Sequence, residues 1–422
     1  MSEWKCYKLS EISSLSNGIN FDKSAYTRGV KLIGVSDFKN RIHPDYDSLQ
    51  EVDSKVVKSG DYLEKGDIVF VRSNGNKELV GRCMMIDRDI PVTYSGFCMK
   101  LRLEDKKLFE PFFFNYLFRT RQFKKSMTGT AVGANIQNLS QSRLGSCEVN
   151  VPDIETQKEI ATILSRYDSL IENYQKQIKL LEEAAQRLYK EWFVDLHFPG
   201  HENTKIVDGV PEGWEKNAFG SVIDYEIGGG WGSDTKTTNE IIPAFVIRGT
   251  DMSTLDIGIW KELPYRFHQE SNYRARQLMH NDIIFEVSGG SKNEGVAKTF
   301  LVQQELLDKL DNHVICASFC KLIRLRDSSI AYYIYDTLKE WRASGITAQY
   351  DKKSASSIVN YRWKDFLSQQ EILIPNVIVL RDYIKKSELI HSSITKKSSQ
   401  IRLLTEARDR LLPKLMSGEI AV

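Results

Sequence analysis

The chain has 422 residues, with 58 Lys+Arg against 56 Asp+Glu and a formal net charge of +2. That balance excludes a bulk polycation, so any nucleic-acid contact must come from local patches. The length exceeds one typical core, which predicts two to four domains, and no apolar run approaches a membrane span. The start, Met1-Ser2-Glu3-Trp4-Lys5, has no apolar targeting core, so the expected compartment is the cytoplasm.

The first module opens at Trp4 to Leu9, followed by a glycine turn, Asn17-Gly18. Pro44-Asp45 with Asp53-Ser54-Lys55 is a faint nuclease-like carboxylate set for magnesium. Its plainer reading is a charged loop among Tyr46, Asp47 and Glu51, and the second half offers no counterpart. The strand pattern Gly66 to Ser73 runs into a polar loop. There Arg72, Ser73, Asn74, Asn76 and Lys77 combine base-edge donors with small residues that let the backbone approach phosphate. After the strand Phe97 to Leu103 and a helical pattern over 111–125, Arg119, Arg121, Lys124 and Lys125 form a basic patch. A second polar segment holds Thr128, Thr130, Asn135, Gln137 and Asn138. Any single loop of this kind also reads as an ordinary surface turn.

Residues 152–198 predict one long helix. Apolar or small residues fall at Ile160, Leu164, Tyr167, Ile171, Tyr174, Ile178, Leu181, Ala185, Leu188 and Trp192. Alternating steps of four and three are the seam of a coiled coil. The seam spans roughly 48 Å at 1.5 Å per residue. Asp153, after Pro152, is the expected N-cap. His197 and His201 flank a Pro-Gly turn and read as linker residues in a connector, 199–210.

The second module, 211–374, repeats the skeleton of the first, 1–151. Trp214 opens it, and Gly228-Gly229-Gly230 takes the place of Asn17-Gly18. Asn281 to Ser288 pairs with Gly66 to Ser73, and the loop with Ser291, Lys292 and Asn293 follows. Phe319 to Leu325 answers Phe97 to Leu103. His313, Cys316 and Cys320 have loose metal-ligand spacing, but they lie in an alternating run that predicts one buried strand face. The expected equivalent of the second polar segment is 345–353, with Thr347, Gln349, Tyr350, Lys352 and Lys353.

A second helix, 375–418, closes the chain. Shifting the first seam by 223 residues gives Tyr383, Ser387, Ile390, Ile394, Lys397, Ile401, Leu404, Arg408, Leu411 and Leu415. Polar seam residues cost stability but fix register and partner. The expected seam contacts are Ile171, Ile178, Leu181 and Leu188 against Ile394, Ile401, Leu404 and Leu411. The order module, helix, module, helix predicts an α+β fold. Two globular α/β-mixed target-recognition modules would be separated by two long antiparallel coiled-coil helices, in a pseudo-twofold tandem duplication.

Catalytic signatures are missing from the sequence: no Gly-x-x-x-x-Gly-Lys-Ser/Thr loop, no His-Glu-x-x-His and no Asn/Asp-Pro-Pro-aromatic motif. The stretch from Leu180 through Trp192 to Pro199, the entry Val210 to Trp214, and the ending Ile401 to Gly418 together resemble the specificity subunit of type I restriction–modification enzymes. The resemblance covers the whole chain. It implies a non-catalytic subunit that binds double-stranded DNA at a two-part asymmetric site, one half per module. Two methylation subunits would dock on the helices and restriction subunits would join the complex. S-adenosylmethionine, ATP and magnesium would belong to those partners, with no cofactor in this chain. A two-headed protein scaffold, or the recognition subunit of another methylase–nuclease system, is the alternative expectation.

Overall fold

The computed structural model describes residues 4–38, 41–76, 79–128, 138–256, 263–289, 295–311, 313–353 and 358–422. Two compact units divide the chain: Met1–Leu170 with Leu404–Val422, and Ile171–Leu403.

In unit one a four-stranded antiparallel sheet orders Ser13–Asn17, Cys98–Leu103, Ile68–Val71 and Cys83–Met85. Residues Ile68 to Val71 form an unbroken β-forming apolar run, and all four are fully buried, as such runs are when both faces are covered. A three-stranded sheet orders Gln50–Val52, Tyr26–Ile33 and Val92–Tyr94, the last pair parallel. Lys5–Lys8 pairs with Glu148–Val151. At one end of the two central strands the buried Asp67 takes two bonds from Arg102, at 2.7 Å each.

Unit two repeats this plan. Its four-stranded sheet orders Ile223–Gly228, Cys320–Leu325, Ile283–Glu286 and Thr299–Leu301. Its three-stranded sheet orders Tyr265–His268, Ile242–Ile247 and Val314–Cys316, again ending in a parallel pair. Glu215–Ala218 pairs with Glu371–Ile374, and Arg324 grips the buried Asp282 as Arg102 grips Asp67. The glycine turns also match. A Cβ on Gly18 would stand 2.2 Å from the Ser95 carbonyl oxygen, and one on Gly229 2.2 Å from that of Ala317. Only glycine fits either approach. One further sheet in unit two orders Ser288–Gly289, Val359–Tyr361 and Asp351–Lys353.

The cysteine run needs a correction. Cys316 and Cys320 occupy two strands in different sheets, joined by a turn at 317–319, not one strand. Both are free and fully buried, and burial pushes the Cys316 thiol up to about 12.

The first long helix, Ile154–Tyr189, continues into a π turn, Lys190–Val194. Asp153 caps it by accepting the Thr156 N–H at 3.0 Å. Asn376 caps the second, Val377–Met416, by accepting the N–H groups of Ile378 and Val379 at 3.1 and 3.0 Å. A π turn adds a residue to one turn, so the neighbours Trp192 and Phe193 are both buried. They lie 5.8 and 4.7 Å from the Tyr383 ring. Ile171, Ile178, Ile394 and Ile401 are buried, while Leu181, Leu188, Leu404 and Leu411 are half-buried.

Within each unit the two helices run antiparallel. In unit one Leu164 shares a cluster with Leu415, and one turn further along Asp168 meets Arg408 at 2.5 Å. In unit two the Lys397 ammonium lies 5.3 Å over the Tyr174 ring, and Tyr189 lies 6.2 Å from Tyr383.

Every polar seam residue therefore has a partner, since Ser387 donates to Asp336 at 2.6 Å. The two units close this contact with inverted chemistry. In unit one the acid is on the long helix: Asp168 accepts from Tyr116, on the module's helix Pro111–Leu117, at 2.5 Å. In unit two the acid, Asp336, is on the module's helix Ala331–Ala343, and His391 of the long helix lies 2.8 Å away.

Candidate nucleic-acid interface

The loop that follows Ile68–Val71 is anchored by its own strand neighbours. The N–H groups of Arg72 and Ser73 both donate to the Phe97 carbonyl, at 2.8 and 3.2 Å. Ser73 forms a bridge with Asn138, and the Leu139 N–H donates to the Arg72 carbonyl at 2.8 Å. Asn74 spends its side-chain oxygen on the Asn76 N–H, at 2.7 Å, in an Asx turn. The half-buried Arg72 directs Nη1 towards the Gly96 carbonyl at 3.5 Å, a weak contact. Polar side chains thus stand on a fixed backbone frame.

Unit two builds the same frame. Val287 and Ser288 donate to the Phe319 carbonyl at 2.9 and 3.1 Å. Ser288 pairs with Asn360 in the strand register, and its hydroxyl donates to the Asn360 side-chain oxygen at 2.9 Å. The equivalent of Asn138 is therefore Asn360, which corrects the expectation that placed it within 345–353. Its signal in the sequence is an asparagine at the same offset, 222 residues, as the Phe97–Phe319 pair.

Beside the first frame runs the helix Arg121–Thr128. Its Met127 limits the space at Gly81, where a Cβ would stand 2.9 Å from the methionine methyl. Arg121 and Lys124 are exposed on this helix. Partial desolvation lowers the Lys124 ammonium from its ordinary value, and Arg119 and Arg82 close by add to this. Arg119 itself is structural, since it donates to the carbonyls of Arg41 and Cys83.

Two other expectations change. Thr347 and Tyr350 are buried, at 3% and 8% exposure. The Tyr350 ring packs 5.2 Å from Phe366 and its hydroxyl lies 3.3 Å from Gln370, so both residues support the module and cannot face a ligand. Gln349 and Lys352 are exposed nearby. Lys77, Thr130, Asn135, Gln137, Ser291, Lys292 and Asn293 lie outside the described residues, as do the side chains of Thr128 and Lys353.

The carboxylates weighed for magnesium have other uses. Asp45 pairs with Arg41 at 3.0 Å, and Asp53 accepts the Lys55 N–H at 2.9 Å. Among the described residues no group of three His, Cys, Asp or Glu side chains is placed to hold a metal. Among them, too, no helix is long and apolar enough to cross a membrane. Sequence pattern marks Phe97 and Phe319 only as the first residues of two matched strand runs, and does not mark Trp231. Trp231 is 39% exposed, and its ring lies 4.4 Å from the Arg266 guanidinium.

Residues 1–183 match the family described as the type I restriction modification DNA specificity domain. The match spans the first module and most of the first long helix. It is 27% identical, over 73% of its length and 68% of the relative's, to the type I restriction enzyme MjaIX specificity subunit of Methanocaldococcus jannaschii. Against the HindI specificity subunit of Haemophilus influenzae the identity is 24%, with both chains covered in full. A solved S subunit of a type I restriction–modification system from M. genitalium shares the fold. Its TM-score is 0.59 at 15% identity, over 98% of this chain and 96% of that one.

Proposed function

We propose that this chain reads a two-part, asymmetric DNA site for a type I restriction–modification assembly, with residues 1–151 and 211–374 as the two readers. The observation that carries the reading is one backbone frame bearing two different side-chain sets. Arg72 and Val287 both donate their N–H to the carbonyl of a phenylalanine at the same place in the frame, yet only one is a guanidinium. A repeated frame with unlike side chains suits two unlike half-sites.

In module one Arg72, Ser73 and Asn138 are placed to meet base edges, and Arg121 and Lys124 to meet phosphate. In module two Ser288, Asn360, Gln349 and Lys352 fill these places. The helices over 152–198 and 375–418, with the connector 199–210, space the readers and dock two methylation subunits. Those partners supply S-adenosylmethionine chemistry, and restriction subunits supply ATP-driven steps with magnesium. This chain, in the cytoplasm with its DNA, contributes recognition and positioning.

The test is methylation mapping in cells carrying the chain, and in cells carrying a variant with residues 1–151 replaced by another module. One half of the methylated sequence should change while the other persists. A change in both halves, or in neither, would overturn the independent-reader assignment.

A further inference from the structure

Among the described residues the two most exposed aromatic rings are Phe97, at 62%, and Phe319, at 57%. One exposed phenylalanine needs no explanation. These two are the same position of a duplicated frame, in units whose surrounding loops have otherwise diverged.

The backbone on each side of the ring is tied down. Each phenylalanine carbonyl accepts two N–H groups from the end of the neighbouring strand. The following cysteine closes the turn, Cys98 N–H on the Ser95 carbonyl and Cys320 N–H on that of Ala317, both at 2.8 Å. The carbonyls of Cys98 and Cys320 then accept from Gly18 and Gly229, at 3.1 and 2.8 Å, and both cysteines are fully buried. An apolar ring is thus held outside the core on a rigid mount. Such a mount removes the ordering cost that a mobile loop would meet on binding.

We propose that Phe97 and Phe319 are wedges for double-stranded DNA, one per half-site, each entering between two base pairs and unstacking them. The proposal rests on the DNA-reading function above. Arg72 and Val287 differ as half-site readers must, whereas the ring is constant. A constant ring fits a contact that tolerates any sequence, because every base has a π face. Phenylalanine is among the side chains that proteins insert at base steps to kink a duplex.

The full chain, assembled with its methylation subunits, is titrated onto duplexes carrying its mapped site. 2-Aminopurine is placed in turn at positions other than the methylated base. Wild type should raise the emission at one step in each half-site. Phe97→Ala should abolish the rise in the first half-site only, Phe319→Ala in the second only, and each should weaken binding roughly tenfold. Both rings are exposed, so neither change removes a core contact. If wild type binds the mapped site and both variants match it within twofold with unchanged emission, the wedge assignment is wrong while the reading function stands. Loss of assembly with the methylation subunits in sedimentation without DNA would make the rings protein-docking contacts, and would also overturn it. If wild type shows no salt-dependent preference for the mapped site, the reading function itself fails.

Discussion

Asp336, buried in unit two, accepts from Tyr383 at 2.7 Å and Ser387 at 2.6 Å and lies 2.8 Å from His391 Nε2. Replacing it with alanine strands three buried polar groups, and the expected cost is about 3–5 kcal/mol, read as a shift of the urea midpoint. Burial alone would raise its carboxyl, but His391, Ser387 and Tyr383 outweigh that and hold it below its ordinary value of 3.8. A lowered folded value means the stabilisation is complete above 3.8 and is lost as pH falls through the folded value. Acid unfolding below pH 4 should therefore be shallower in Asp336→Asn than in wild type; equal profiles would remove Asp336 from the linkage. Arg72→Ala tests the interface. If the guanidinium meets a guanine edge, binding falls by about 1–3 kcal/mol and one base position relaxes. A uniform loss with a shallower salt slope would place it on phosphate instead. Sequence alone suggested Ser387, Lys397 and Arg408 as costs at the seam. Their partners Asp336, Tyr174 and Asp168 lie far off in sequence, where helical periodicity carries no information.

At the scale of elements, both long helices and their caps were legible, because a four–three seam and a Pro-Asp or Pro-Asn entry are local signals. The turn 317–319 was not, since Ala317-Ser318-Phe319 contains none of the usual breakers. Its counterpart Ser95-Gly96-Phe97 does contain one, so reading the repeats against each other would have found it. The π turn at 190–194 was equally silent. It answers the need to bury Trp192 and Phe193 together, which only the tertiary core imposes. The seam itself can be tested at Ile178, which is 1% exposed. Ile178→Asp buries a carboxylate without a cation and should destabilise the chain by at least about 3 kcal/mol, seen as an earlier denaturation midpoint. A change under about 1 kcal/mol would put Ile178 outside the seam.

For the whole molecule, duplication makes a half-length chain informative. Residues 1–200 hold one module and one long helix, and two copies can pair through the same seam. The shift of 223 residues puts Ala185 where Arg408 stands. In such a pair Asp168 keeps Tyr116 but loses its guanidinium, so the dimer should be weak in sedimentation, and Ala185→Arg should tighten it tenfold or more. No gain from the arginine would argue against antiparallel pairing of the halves. The inverted acid has a further consequence, for how such chains diversify. A first-position module brings tyrosine to a helix that supplies Asp168, and a second-position module brings Asp336 to a helix that supplies His391. Moving module two into the first position would set Asp336 against Asp168, two carboxylates sharing Arg408. Moving module one into the second would leave His391 facing Tyr116 with no acid at all. A swap of modules between the two positions of this chain would therefore have to carry the matching helix residue, Asp168 or His391, with it.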